Sequence, residues 1–167
     1  MQNMGEEKVY LQVLKDSLRE KQNIMNSLLE ATTEQSTLLK SDSSREIICD
    51  AIMEKVSEKE ELLKKLEYND QGFEKIYQRL RPILIEEKET YHADIVILQE
   101  MIKKITDDSL KLEALERKNK EALDMFLKKE RERLRDFRMV RQNSVQYYQH
   151  MANKHQIGQT YFLDHKQ

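Results

Sequence analysis

Leu38-Leu39-Lys40-Ser41-Asp42-Ser43-Ser44-Arg45-Glu46-Ile47-Ile48 decides how this chain folds. It is the clearest interruption in a sequence otherwise made of strong helix formers. Asp42, Ser43 or Ser44 can accept a hydrogen bond from the free amides of a following helix, and Glu46 three residues after Ser43 completes a capping-box arrangement. A loop this short returns the second helix against the first, which predicts an antiparallel helical hairpin.

Before that loop, Leu11, Leu14, Leu18, Lys21, Met25, Leu28, Thr32, Gln35 and Leu39 alternate three- and four-residue steps. The spacing predicts a helix over about 6–39 with its apolar stripe on one side, widened by Tyr10, Val13, Ile24 and Leu29. Thr32 and Gln35 interrupt the stripe, so its last turns are expected to fray. After the loop, Ile48, Ala51, Ile52, Val56, Leu62, Leu63 and Leu66 form the inner face of a second helix, about 44–68. Asn69-Asp70-Gln71-Gly72 reads as a stop, with Gly72 as a left-handed cap.

Phe73, Ile76, Tyr77 and Leu80 resume helical spacing. Pro82 either starts a further helix or kinks a continuous one. A third helix is expected over 73–148, with a seam through Ile95, Leu98, Ile102, Ile105, Leu112, Leu115, Leu123 and Phe126 that thins to Leu134, Phe137 and Val140. It outruns the other two, so its far end must project, fold back at an unsignalled bend, or pair with a second chain. The expected architecture is all-α: a hairpin plus a long third helix in one elongated domain over 1–151, then an irregular tail over 152–167.

Composition agrees with long helices. There are three glycines, one proline and no tryptophan, with 36% charged and 38% hydrophobic residues, which suits narrow stripes rather than a thick core. The net charge of −2 is unevenly spread, from −8 over residues 1–116 to +5 over residues 117–141. A lone Cys49 excludes an internal disulfide. No apolar run approaches the roughly 20 residues that span a bilayer, and the opening residues lack a signal-peptide layout. A soluble cytoplasmic chain is expected.

No catalytic constellation emerges, and no cofactor is called for. Glu89 and His92 supply one half of a carboxylate–histidine metal pattern without a second copy, and His150 and His155 are five apart on different helix faces. Cys49 has no histidine nearby, and three isolated glycines build no phosphate loop. In Lys128-Lys129-Glu130-Arg131-Glu132-Arg133-Leu134-Arg135, glutamates alternate with the basic residues, which suits a solvated helix face better than a phosphate-binding strip. Val145-Gln146-Tyr147-Tyr148-Gln149-His150-Met151 is rich in interface-type side chains at the end of a polar helix.

Several stretches resemble the FlgN-type flagellar export chaperones, particularly the form found in Clostridia-like bacteria: Tyr10 to Leu39, Lys55 to Leu66 leading into Asn69-Asp70-Gln71-Gly72-Phe73, Ile102 to Asn119, and Asn143 to Met151. The Gly72-Phe73 break and the Tyr147-Tyr148 to Met151 ending carry most of the likeness. The resemblance implies a cytoplasmic secretion chaperone without catalysis. Such a protein holds hook-associated flagellar subunits, masks their helical termini and delivers them to the export apparatus. It places the partner contact between about Leu112 and Met151, giving as candidates Leu112, Leu115, Asn119, Leu123, Phe126, Leu134, Phe137, Tyr147, Tyr148 and Met151. A homodimer is compatible with it; nucleic-acid binding and membrane insertion are not expected. The competing readings are a self-associating coiled-coil scaffold without a client and, third, a basic nucleic-acid-binding helix.

Overall fold

The computed structural model describes residues 4–129 and 134–163, with side chains described for 4–129 and 138–153. Four helices follow one another: α1 (Met4–Leu39), α2 (Arg45–Glu86), α3 (His92–Lys129) and α4 (Leu134–Leu163). The fold is all-α, a helical bundle with no strand among the described residues.

α1 forms as its periodicity requires. Leu11, Leu14, Leu18, Met25 and Leu28 are buried on one face, and so are Thr32 and Gln35. The expected fraying does not occur, because those two polar side chains find partners inside the bundle. The first reversal falls where Ser41 to Ser44 place it. Ser44 is the N-cap of α2 by backbone conformation but makes no side-chain cap hydrogen bond. The loop is closed by backbone bonds instead, Lys40 N to Thr37 O at 3.2 Å and Ser41 N to Leu38 O at 3.1 Å.

α2 does not stop at Asn69–Gly72, where a break was expected. Asn69 and Asp70 are used between helices: the Asn69 amide donates to the Ser17 carbonyl at 3.0 Å, and Asp70 pairs with Lys21 at 2.9 Å. Turn-forming side chains thus spend their hydrogen bonds on α1, and Gly72 stays helical without a positive φ. Pro82 lies within α2, four residues before its end. The chain actually reverses over Glu87 to Tyr91, through bonds such as Glu87 N to Ile83 O at 2.8 Å and Tyr91 N to Glu87 O at 3.2 Å. Tyr91 is buried there and donates its hydroxyl to Glu7 near the start of α1.

The stretch 73–148, expected as a long helix with a break possible near Pro82, is three helical pieces belonging to α2, α3 and α4, and Pro82 is not where they part. Of the three fates open to its excess length, folding back is the one observed. α4 returns along α3, as the Tyr147–Glu116 and Tyr148–Lys120 contacts require. Its backbone stays helical to Leu163, past the point where an irregular tail was expected.

Cross-helix pairs fix the topology. α1 and α2 run antiparallel, since Gln35 meets Lys59 while Glu6 meets Arg79. α1 and α3 run parallel, with Lys15 on Asp94 and Thr32 on Glu116. α4 lies parallel to α2, through Asn143 on Met53 and His150 on Glu60, and antiparallel to α3. The order is up-down-up-down, and α1 packs on α2 and α3 while α4 packs on the same two helices. One apolar cluster runs through it from Leu11 to Tyr147.

Candidate functional site: a buried polar layer beneath α4

Where all four helices meet, the core is polar. Lys59 of α2 and Glu116 of α3 are each only 1% exposed, on stripe positions otherwise held by Val56, Leu63, Leu112 and Leu123. The Lys59 ammonium lies 2.5 Å from Glu116 Oε1, donates to Gln35 Oε1 of α1 at 2.6 Å, and sits 4.1 Å from the ring centroid of Tyr147 on α4. Two oxygens and one aromatic face thus surround its three protons.

Glu116 Oε1 collects the rest. The Tyr147 hydroxyl donates to it at 2.5 Å. Thr32 Oγ1 lies 2.9 Å from it and 2.6 Å from the Leu28 carbonyl, with one proton to share between them. Asn119, one turn along α3, donates its amide to the Thr32 carbonyl at 2.7 Å. The side chains that spoil the apolar stripe of α1 are therefore partners of charges on α2 and α3.

This environment sets the protonation of the layer. Burial pushes the Lys59 ammonium below its ordinary value, and the neighbouring Glu116 charge opposes that shift. Burial pushes the Tyr147 phenol well up, reinforced by the Glu116 charge and hydrogen bond. Tyr147 therefore remains a proton donor at neutral pH. Tyr148 is raised by burial too, then by Glu116 and Asp124. Beside the layer is a small cavity lined by residues that include Gln35, Lys59, Asn119, Ser144 and Tyr147. Ser144 Oγ, on its lining, and Glu116 Oε2, in the layer, are buried without a protein hydrogen-bond partner.

Several expected partner-binding residues belong to this interior. Leu112, Asn119, Leu123 and Tyr147 are buried, with Asn119, Leu123, Tyr147 and Tyr148 lining one cavity. Leu115, Phe126, Tyr148 and Met151 are partly exposed. The side chains of Leu134 and Phe137 lie outside the described residues. Tyr147 is not an exposed aromatic at the end of a long helix, because α4 folds back and seats it against Glu116. Lys59 and Glu116 were missed by the sequence reading. Their signal was two opposite charges standing in otherwise apolar stripes.

The Glu116 carboxylate and the Lys59 ammonium neutralise each other inside the bundle. Among the described residues no group of histidine, cysteine and acidic side chains could hold a metal, and no helix is long and apolar enough to cross a membrane. Comparison with protein-family models, curated proteins and solved structures finds no match for the chain.

A second surface lies at the other end. His150 pairs with Glu60, so α4 is displaced by 90 positions from α2, and its last described residue, Leu163, comes level with about Phe73. Beyond that level α1, α2 and α3 continue without the described part of α4. There Tyr77, Ile83, Leu84 and Ile95 are only partly buried, Ile85 is 65% exposed, and Ile97 is 43% exposed.

Proposed function

We propose that this chain is a helix-binding secretion chaperone, holding hook-associated flagellar subunits in the cytoplasm and presenting them to the export apparatus. The family named here rests on the sequence resemblance. The binding mode rests on one observation, the apolar end of the three-helix body beyond α4.

On either side of the reversal at Glu87–Tyr91, Ile83, Leu84 and Ile95 are only partly buried against the core, and Ile85 and Ile97 are exposed. Branched and straight aliphatic side chains in partial exposure form a ready seat for the apolar face of an amphipathic helix. The body already takes one such helix along its length, α4. A client helix adds a further one at the uncovered end, and no reaction is involved.

The test is recovery of the tagged full-length chain from a native lysate of the source cells, with identification of what it carries. A hook-associated subunit held by its terminal helix is the expected result. Recovery of the chain with copies of itself alone supports the scaffold reading. Retention only of nucleic acid, lost steeply with salt, supports the basic-helix reading.

A further inference from the structure

We infer that the outward face of α2 is an interface for a second copy of this chain, the two α2 helices lying antiparallel about a two-fold axis between positions 62 and 63. The inference is independent of any client.

Charge on that face is segregated. From Glu46 to Glu61 every exposed charged residue is acidic: Glu46, Asp50, Glu54, Glu58 and Glu61. From Lys64 to Arg81 every one is basic: Lys64, Lys65, Lys75, Arg79 and Arg81. Glu46, Asp50, Glu54 and Glu58 follow one another at four-residue steps, and so do Lys75 and Arg79. At that spacing like charges destabilise a helix, whereas alternating signs would support it. The pattern works against α2 alone and favours a partner surface that carries the opposite charges.

The two blocks also mirror each other in spacing. Glu46, Asp50, Glu54, Ser57 and Glu61 approach the junction in steps of four, four, three and four. Arg79, Lys75, Gln71, Tyr68 and Lys64 approach it from the other end in the same steps. All ten are exposed, and steps of three and four keep them along one side of a continuous helix. An antiparallel copy therefore sets Glu46 against Arg79 of the partner subunit, Asp50 against Lys75 of the partner subunit, and Glu61 against Lys64 of the partner subunit. Glu54 then meets Gln71 of the partner subunit, a carboxylate facing an amide donor. In each of these pairs the positions add to 125, and none sets like charges opposite. A parallel copy would set acid on acid and base on base, which electrostatic complementarity forbids.

Tyr68 adds the apolar contact that charges alone lack. It is 82% exposed, and the same rule places it against the small Ser57 of the partner subunit, so that two rings flank the axis. Exposed ion pairs are individually weak. What holds the dimer is three charge pairs each made twice, together with the two rings, which makes it dependent on concentration and salt. Being isologous, it closes at two copies.

The test is sedimentation equilibrium of the full chain. In low salt its mass is expected to rise from one chain to two with concentration, and raising salt from about 0.05 M to about 0.5 M is expected to weaken the dimer at least about ten-fold. Two variants then reverse the blocks separately. Asp50→Lys with Glu61→Lys sets base against base in a pair of identical copies, and Lys64→Glu with Lys75→Glu sets acid against acid. Each alone is expected to associate at least about ten-fold more weakly than the parent, while an equimolar mixture of the two regains the parent's affinity, because every reversed charge then meets its opposite. The four positions are exposed, so the parent's helicity is expected in both. Should either fail to fold, the single variants Asp50→Lys and Lys75→Glu are mixed in the same way. A single-chain mass at every concentration overturns the inference. So does a dimer that survives both reversals, or a mixture that associates no better than its components.

Discussion

Lys59 of α2 reaches Glu116 of α3 at 2.5 Å inside a bundle interior where both side chains are 1% exposed. Removing two charges from water costs several kcal/mol per ion, which their attraction and their hydrogen bonds to Gln35, Thr32 and Tyr147 must offset. Such a pair penalises broken forms more than it rewards the intact one. Glu116→Leu or Lys59→Met alone is expected to destabilise the chain by about 3–5 kcal/mol. The double variant is expected to come within about 1 kcal/mol of the parent or to exceed it, because no unpaired charge is left buried. Urea unfolding of the four proteins closes the cycle; additive single effects would contradict this account.

Tyr147 makes the layer sensitive to alkali. Its folded-state pKa lies well above the ordinary 10.0, because burial and the Glu116 charge both oppose the phenolate. The unfolded chain therefore gives up this proton first. The contribution is complete below pH 10.0 and is lost as pH rises from there towards the folded value. Lys59 acts in the opposite sense, since its depressed pKa makes stability rise with pH up to its ordinary 10.5. Measured from pH 10.5 upwards, where the lysine term is spent, urea midpoints of the parent are expected to fall more steeply than those of Tyr147→Phe. Parallel curves would mean that the phenol is not buried against Glu116.

What the sequence made legible follows from where local chemistry and tertiary need agree. Ser41 to Ser44 mark a reversal that the chain makes, and Leu11, Leu14, Leu18, Met25 and Leu28 mark the face it buries. Asn69 to Gly72 carry equally good turn chemistry, yet α2 runs straight through, because Ser17 and Lys21 satisfy Asn69 and Asp70 from the side. The reversal at Glu87–Tyr91 uses no positive-φ residue and so leaves no glycine to read. Its anchor is Tyr91 on Glu7, a contact across 84 positions that no local window contains. The polar layer was hidden for a related reason. Thr32 and Gln35 look like defects in one helix until Glu116 and Lys59 on two others are placed beside them.

Gly72 offers a direct check on that override. It sits within a continuous helix, and a Cβ added there meets nothing within 4 Å. Glycine loses more backbone freedom on folding than alanine and gives nothing in return at such a site. Gly72→Ala is expected to stabilise the chain by about 0.5–1 kcal/mol, seen as a higher urea midpoint with unchanged m-value. Destabilisation would show instead that α2 breaks at Asn69–Gly72 in solution.

The client surface separates from the core by exposure. Ile85 and Ile97 are 65% and 43% exposed, so replacing them removes little apolar burial within the bundle. An aspartate at each position sets a charge in the path of an apolar partner face, which would have to be desolvated without a partner. The Ile85→Asp, Ile97→Asp double variant is expected to keep its helicity and unfold within about 0.5 kcal/mol per site of the parent, as exposed substitutions do. Its capture of a client helix is expected to fall at least about ten-fold, corresponding to a loss of about 1.4 kcal/mol. Leu123 gives the contrasting control. Being buried beside Asn119 and Tyr147, Leu123→Ala should cost about 2–5 kcal/mol of stability whether or not a client is present. Client affinity unchanged in the double aspartate variant, with the fold intact, would move the binding surface away from the three-helix end.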